Sequence, residues 1–394
     1  MNSLPKNQSI LLGYNVMRAE DFSAMYPLLN DSLERHGSVE KIRSGEVKEL
    51  LNFKTILTNP IKRCVGGYGR NVNIFFLLAE AMWIFSGRKD VRFLDIFNSN
   101  MKNFSDDGEV FHAPYGFRIR HWGVASESKF VQENMHSAQG SDQLYDVIKL
   151  LQEDPSTNQA VMSIWNPDLD LGTKSKDIPC NDLIMFKIRG GELNTTVANR
   201  SNDLHWGLTT NIFQFSFMSE IISSILNCEI GEQVHNSQSL HAYNWNVITK
   251  SMIEEVEKSG SNLKTLYSEF DGGAGAVAMK MDFKFKHDVA TNRLREVDYY
   301  IETIIRNLET LDRTGKVDYV EELSDIKEFS EYLYLVFCIL SVYVGYKKKR
   351  ITKMEAYNNL KHFSKKYKNL DILVLAMNFF ATRLNIVEGS IGTL

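Results

Sequence analysis

Between residues 160 and 243 the chain sets short β-like runs around one very apolar helix, and this pattern limits its architecture more than any other feature. Runs at 160–165, 183–188 and 192–199, with a weaker one at 233–243, carry the β-branched and aromatic residues that suit a pleated surface. Gly190-Gly191, between the second and third, tolerates positive φ at both positions and predicts a hairpin. Residues 211–226 then place apolar side chains on most helical faces, so this helix must be covered nearly all round, with Thr209 or Thr210 as its N-cap. A helix needing that much cover, flanked by strands, predicts an α/β (α+β) fold in which helices pack against a mixed sheet.

The flanks extend this reading. Residues 72–85 form an apolar run without Gly or Pro, interrupted by one acid, Glu80, and ended by Ser86-Gly87. A polar stretch follows at 98–114, with Ser105, Asp106, Asp107 and Gly108 as a loop signal. Residues 141–152 read as a helix stopped at Asp154-Pro155, because the residue before Pro avoids the α region. Beyond residue 284 the pattern is largely helical, at 297–312, 321–346 and 352–382, without polar clusters suited to catalysis. We therefore expect a catalytic unit over 1–284 and a helical C-terminal region over 285–394.

Composition narrows the function classes. In 394 residues, 43% hydrophobic and 24% charged side chains argue for a folded chain and against wholesale disorder. A net charge of −4 gives no general basic surface for nucleic acid, while leaving room for a local phosphate pocket. Cys64, Cys180, Cys228 and Cys338 are too scattered for paired zinc ligands or a secreted disulfide framework, which favours a reducing, cytoplasmic setting. Residues 1–14 lack an apolar signal core. The apolar run at 332–346 is shorter than the roughly 20 residues of a spanning helix and reads as a buried helix followed by a solvated basic run at 347–350. Contact of that run with a membrane surface is the lesser alternative. No metal is expected, since acids and histidines do not cluster as ligands would.

Three short segments carry chemistry. Cys180 follows Ile178-Pro179 at the entrance of a strand, where loops form clefts. A nucleophilic thiol needs its pKa lowered, and an arginine nearby can do that, although an isolated Cys is more often a small core residue. Asn199, Arg200, Ser201, Asn202 and Asp203 end a strand just ahead of Trp206-Gly207. That run is either a solvated turn or a set of groups for a phosphate and a polar heterocycle. Asn211, at the start of the core helix, would face the same place. His241 and Tyr243 share one face of a strand and can reach one sugar hydroxyl, although a strand histidine is more often structural.

Taken in order, Trp165-Asn166-Pro167, Ile178-Pro179-Cys180-Asn181, Arg200-Ser201-Asn202-Asp203, Gly207, Asn211 and His241-Ala242-Tyr243 resemble the thymidylate synthase superfamily. Glu80 within residues 77–87 and Ala113-Pro114-Tyr115-Gly116 agree, and the resemblance covers residues 43–246. It implies that Cys180 adds to C6 of a pyrimidine nucleotide. C5 then attacks the methylene of 5,10-methylenetetrahydrofolate, the cosubstrate. Arg200 would stabilise the thiolate and join Ser201 at the phosphate. Asp203 would face the pterin, Asn211 would read the N3–O4 edge, and His241 with Tyr243 would hold the 3′-hydroxyl. Glu80 would organise proton transfer and Tyr115 would help remove the C5 proton. The physical logic is that an aromatic pyrimidine carbon is a poor nucleophile until a thiolate breaks the ring conjugation. The resemblance further implies a homodimer that binds a pyrimidine deoxynucleoside monophosphate and folate.

Departures from the methyl-forming pattern refine the expectation. The arginine pair that this pattern places ahead of the Trp-Asn strand reads Asn158-Gln159 here, so phosphate binding needs other cations. Arg43 is the first candidate, followed by Arg70 and Arg118. After the folate leaves, hydride would make a methyl group from the C5 methylene, whereas water would make a hydroxymethyl group. Residues 95–114 lack the Trp that covers this position in methyl-forming members, and Asn181 replaces their usual His. A wetter site favours the pyrimidine nucleotide hydroxymethylase branch, with thymidylate synthesis as the rival. Asn211 both donates and accepts, which suits uracil and makes deoxyuridylate the expected substrate. Deoxycytidylate is the runner-up, and a ribonucleotide such as cytidylate stays open. A non-catalytic nucleotide-binding relative is the alternative of a different class.

Overall fold

The computed structural model describes residues 10–11, 15–42, 45–66, 72–123, 140–243, 276–316 and 320–384. The N-terminal part contains β1 (Ile10–Leu11), β2 (Val16–Ala19), α1 (Phe22–His36), β3 (Ser38–Ile42) and β4 (Gly45–Leu57). Sequence reading assigns none of these. The reason is visible in β4, where Lys48, Glu49, Asn52 and Lys54 blur the alternation, and in α1, which contains Pro27. Asp21 starts α1 by accepting from the Ser23 N–H at 2.7 Å.

Next come α2 (Ile74–Phe85), α3 (Val91–Phe97), α4 (Tyr115–Arg120), α5 (Gln143–Glu153), β5 (Val161–Ser163) and α6 (Pro167–Asp170). They are followed by β6 (Asn181–Arg189), β7 (Glu192–Asn199), β8 (Asn202–Asp203), α7 (Thr209–Leu226) and β9 (Glu229–Tyr243). Among the described residues the strands form one mixed nine-stranded sheet in the order β1-β2-β4-β9-β7-β6-β5, with β3 on β4 and β8 on β9. Gly190 and Gly191 adopt φ of +61° and +82° between β6 and β7, as the hairpin reading requires. The expected strand at 160–165 ends at Ser163, because the Ile164 and Trp165 N–H groups both turn to the Asp182 carbonyl.

Helix α7 is buried along nearly its whole length, with Phe213, Phe215, Phe217 and Ile221 in the core. Its start differs from expectation. Neither threonine caps it; a π-helical turn, Leu204–Leu208, leads straight into α7, and Asp203 caps that turn. The Thr209 hydroxyl instead donates to the Leu204 carbonyl at 3.0 Å.

Beyond residue 276 the elements are α8 (Ala290–Thr314), α9 (Val320–Phe329), α10 (Glu331–Lys347), α11 (Lys353–Ser364) and α12 (Asp371–Leu384). The expected helix at 321–346 breaks at Ser330, whose hydroxyl caps α10 through the Leu333 N–H. The one expected at 352–382 breaks before α12, near Asn369, which has φ of +54°. Helices α8, α10 and α12 all pack on α2. Phe75 of α2 stacks on Tyr343 at 4.4 Å between centroids and meets Phe379 and Phe380 edge-on. The apolar run at 332–346 is therefore core, and among the described residues no helix is long and apolar enough to cross a membrane.

Candidate functional site

Cys180 sits half-buried on the loop that enters β6. Its own carbonyl accepts from the Arg200 N–H at 3.0 Å, which joins the nucleophile loop to the end of β7. The Arg200 guanidinium donates from Nε to the Pro179 carbonyl at 2.8 Å and from Nη2 to the Ile178 carbonyl at 3.2 Å. Nη2 also lies 3.9 Å from the Cys180 sulfur. The cation is thus where a thiolate would need it. Burial nevertheless pushes the thiol pKa up, Arg200 opposes this, and Asp177, Asp182 and Asp203 add to the rise. The lowered pKa expected for this thiol is not reached in the protein alone.

The backbone N–H of Cys180 donates to the Tyr115 hydroxyl at 3.3 Å. Tyr115 owes its position to its neighbour Gly116, where a Cβ would come within 2.0 Å of the Ile84 carbonyl oxygen. Only glycine lets the start of α4 lie so close to the end of α2. Glu80 projects from α2 and accepts a hydrogen bond from Gln214 Nε2 of α7. Burial raises its pKa to about 8 although Gln214 opposes the shift, so near neutrality it holds a proton.

Asn211 belongs to a chain of buried amides. Asn199 Nδ2 donates to Asn181 Oδ1, and Asn181 Nδ2 donates to Asn211 Oδ1 at 3.1 Å. Asn211 Nδ2 donates to Asn202 Oδ1 at 3.3 Å, and Asn202 Nδ2 donates to the Ser237 hydroxyl at 3.1 Å. These contacts fix the face that Asn211 presents. Glu80, Tyr115, Asp177, Asn211 and Gln214 line one cavity of about 260 Å³. A larger one, about 490 Å³, lies elsewhere beside Lys62, Cys64 and Asp371 and includes none of these residues.

The other expected residues do not line this cavity. Asp203 Oδ1 accepts from the His205 and Trp206 N–H groups at 2.7 Å, and β8 sets Asp203 opposite His241. His241 is buried beside Tyr243 with ring centroids 5.5 Å apart, and burial lowers its pKa. Ser201 is half-buried next to Arg200. Arg43 and Arg70 lie outside the described residues. Arg118 is not available for a phosphate, because its buried guanidinium is committed to Asp170 at 2.5 and 2.8 Å and to the Ile164 carbonyl.

Sequence reading missed several neighbours. Asp177 and Gln214 give no linear signal of reaching the cavity. Residues 95–114 do lack Trp, yet Trp83 and Trp206 supply indoles to the cavity wall from elsewhere. The site is therefore more apolar than expected. The Asn158 side chain, at the place of the missing arginine pair, accepts from Lys187 at 2.8 Å and from Arg189 at 3.1 Å, so two cations gather there. Among the described residues no group of three His, Cys, Asp or Glu side chains is arranged to hold a metal.

The thymidylate synthase sequence profile matches residues 69–281, and the chain belongs to that family. The deoxyuridylate hydroxymethyltransferase of Bacillus phage SP01 is 40% identical over 244 residues, covering 61% of this chain and 62% of that protein. The protein of the same name from Pseudomonas phage M6 is 37% identical over 191 residues, 48% of this chain and 50% of its own length. Homo sapiens thymidylate synthase is 31% identical over 163 residues, 41% of this chain and 48% of that protein. The chain thus spans between 48% and 62% of the length of these curated relatives.

Proposed function

We propose that the chain transfers a one-carbon unit from 5,10-methylenetetrahydrofolate to C5 of deoxyuridylate and hydrates it to 5-hydroxymethyldeoxyuridylate. The carrying observation is that Glu80, Tyr115 and Asn211 line one cavity, and that Cys180, with Arg200 beside its sulfur, is hydrogen-bonded to Tyr115 of that wall. The likeness to phage proteins named deoxyuridylate hydroxymethyltransferase supports the product.

Cys180 attacks C6 as Arg200 stabilises the thiolate, and Ser201 and Arg200 with Arg43 hold the phosphate. Asn211, oriented by Asn181 and Asn202, offers the donor and acceptor that match the N3–O4 edge of uracil. Tyr115 helps take the C5 proton, and His241 and Tyr243 hold the 3′-hydroxyl. Asp203 meets the pterin, for which Trp206, Phe104 and Met101 provide a fitting apolar wall. The protein acts in the cytoplasm as a homodimer packed sheet against sheet. Within the helical C-terminal region, α8, α10 and α12 serve as the backing of α2.

Incubation with deoxyuridylate and methylenetetrahydrofolate is expected to give a nucleotide of hydroxymethyl mass without dihydrofolate absorbance. Stoichiometric thymidylate and dihydrofolate would overturn the hydration step. Trp83 and Trp206 favour that rival, since indoles in the wall exclude water. Competition among deoxyuridylate, deoxycytidylate and cytidylate in the same assay tests the base and sugar assignment.

Glu80 gives a pH prediction. Its protonated form dominates below about 8, so turnover falls as pH rises through that value. Glu80→Gln is expected to lose this alkaline limb together with about 10²- to 10³-fold of the rate. A pH profile unchanged by the substitution would assign the limb to another group.

A further inference from the structure

Among the described residues, two carboxyl groups line the cavity, Glu80 and Asp177. Burial raises the pKa of both, but their hydrogen bonds differ. Glu80 is buried against Gln214 and protonated near neutrality, which suits an acid. Asp177 Oδ2 accepts from the Ala113 N–H at 2.8 Å, whereas its Oδ1 receives no hydrogen bond from a described residue. Asp177 lies three residues before Cys180, on the same loop. The bond to Ala113 ties this loop to the segment that leads into Tyr115.

A neutral asparagine would accept from Ala113 equally well, so the tie alone does not require a charge. The charge also works against the first chemical step, because Asp177 disfavours the Cys180 thiolate. A carboxylate there, against the needs of the nucleophile, fits a later step. The other acids nearby are set differently: Asp203 Oδ1 caps the turn after β8 and Asp170 is paired with Arg118, and neither these nor Asp182 line the cavity.

We propose that Asp177 is the general base that takes the proton from the water adding to the C5 methylene, a catalytic role that rests on the hydroxymethyl reading above. In this step the water oxygen bonds to the exocyclic carbon and its proton passes to the Asp177 carboxylate. The π electrons of the C5 methylene move into the ring as an enolate. The enolate then re-forms the C5–C6 double bond and expels the Cys180 thiolate, and Asp177 returns its proton to solvent. No electrons are gained or lost overall, and tetrahydrofolate leaves at its original oxidation level.

The test compares two readouts in Asp177→Asn. Tritium release from C5-labelled deoxyuridylate reports every step up to the methylene. Hydroxymethyl product, with added 2-mercaptoethanol to capture the unhydrated methylene, reports the last one. Tritium release within about threefold of the parent, with hydroxymethyl product down about 10²-fold and the thiol adduct taking its place, is the expected result. Product formation within about threefold of the parent overturns the proposal, as does an equal loss of both readouts, which would leave Asp177 a loop tie only. Asp177→Ser keeps a hydroxyl acceptor for Ala113 and gives the same comparison should the asparagine variant not fold. The parent protein separates the two claims. If it makes thymidylate and dihydrofolate, the hydroxymethyl reading fails before any variant is compared.

Discussion

Cys180→Ala is expected to abolish tritium release from C5 of deoxyuridylate, with a loss of at least about 10⁴-fold. The size follows from the chemistry, because without addition at C6 the pyrimidine ring stays conjugated and C5 does not act as a carbon nucleophile. The surroundings of the sulfur sharpen the expectation. Burial and three aspartates hold the pKa of Cys180 up, and Arg200 Nη2, at 3.9 Å, opposes them. Arg200→Met should therefore reduce the same release and move its acidic limb to higher pH, since the thiolate loses its nearest cation. Nucleotide affinity measured by calorimetry should survive Cys180→Ala. Normal tritium release by that variant would sink the covalent mechanism.

Glu220→Ala is expected to lower stability by about 3–5 kcal/mol. Glu220 and Arg63 form an ion pair at 2.7 Å, with side chains 0% and 2% exposed. Glu220 Oε1 also accepts from the Met281 N–H at 2.5 Å, and Arg63 Nη2 donates to the Tyr332 hydroxyl at 3.4 Å. Removing the carboxylate leaves a buried guanidinium without its paired carboxylate and a buried N–H without an acceptor. The double change to Arg63→Met and Glu220→Met should cost less than Glu220→Ala, because neither charge then stays buried. Urea unfolding followed by far-ultraviolet circular dichroism measures both. A loss below about 1 kcal/mol for Glu220→Ala would mean that water reaches Arg63.

Elements whose own side chains announce their surroundings were legible in the sequence. Helix α7 needs cover on all sides, and the Gly190-Gly191 hairpin needs positive φ, so both stand where expected. The N-terminal strands were not legible, because β4 mixes charged and apolar residues on one strand that is covered by tertiary packing. The start of α7 was misread because Asp203 caps a π-helical turn, a choice that local propensity does not reveal.

The candidate site divides in the same way. Cys180, Arg200, Asn211 and Tyr115 stood out through the order of their motifs. The acceptor of Gln214 and the cavity position of Asp177 depend on segments far apart in the chain that meet only in the fold. The indoles were missed for a related reason: Trp83 and Trp206 reach the wall from α2 and from the turn after β8, not from the loop where a covering ring was sought.

Gly116 has a final consequence for how the site behaves. Its α-carbon rests against the backbone of Ile84, four residues beyond the acid on the same helix. The spacing of the two helices that carry the proton-holding carboxyl and the phenol is therefore gauged by main chain against main chain. Side-chain rotation can move the two groups but not their helices, so adaptation to a larger base would have to come from elsewhere in the cavity wall.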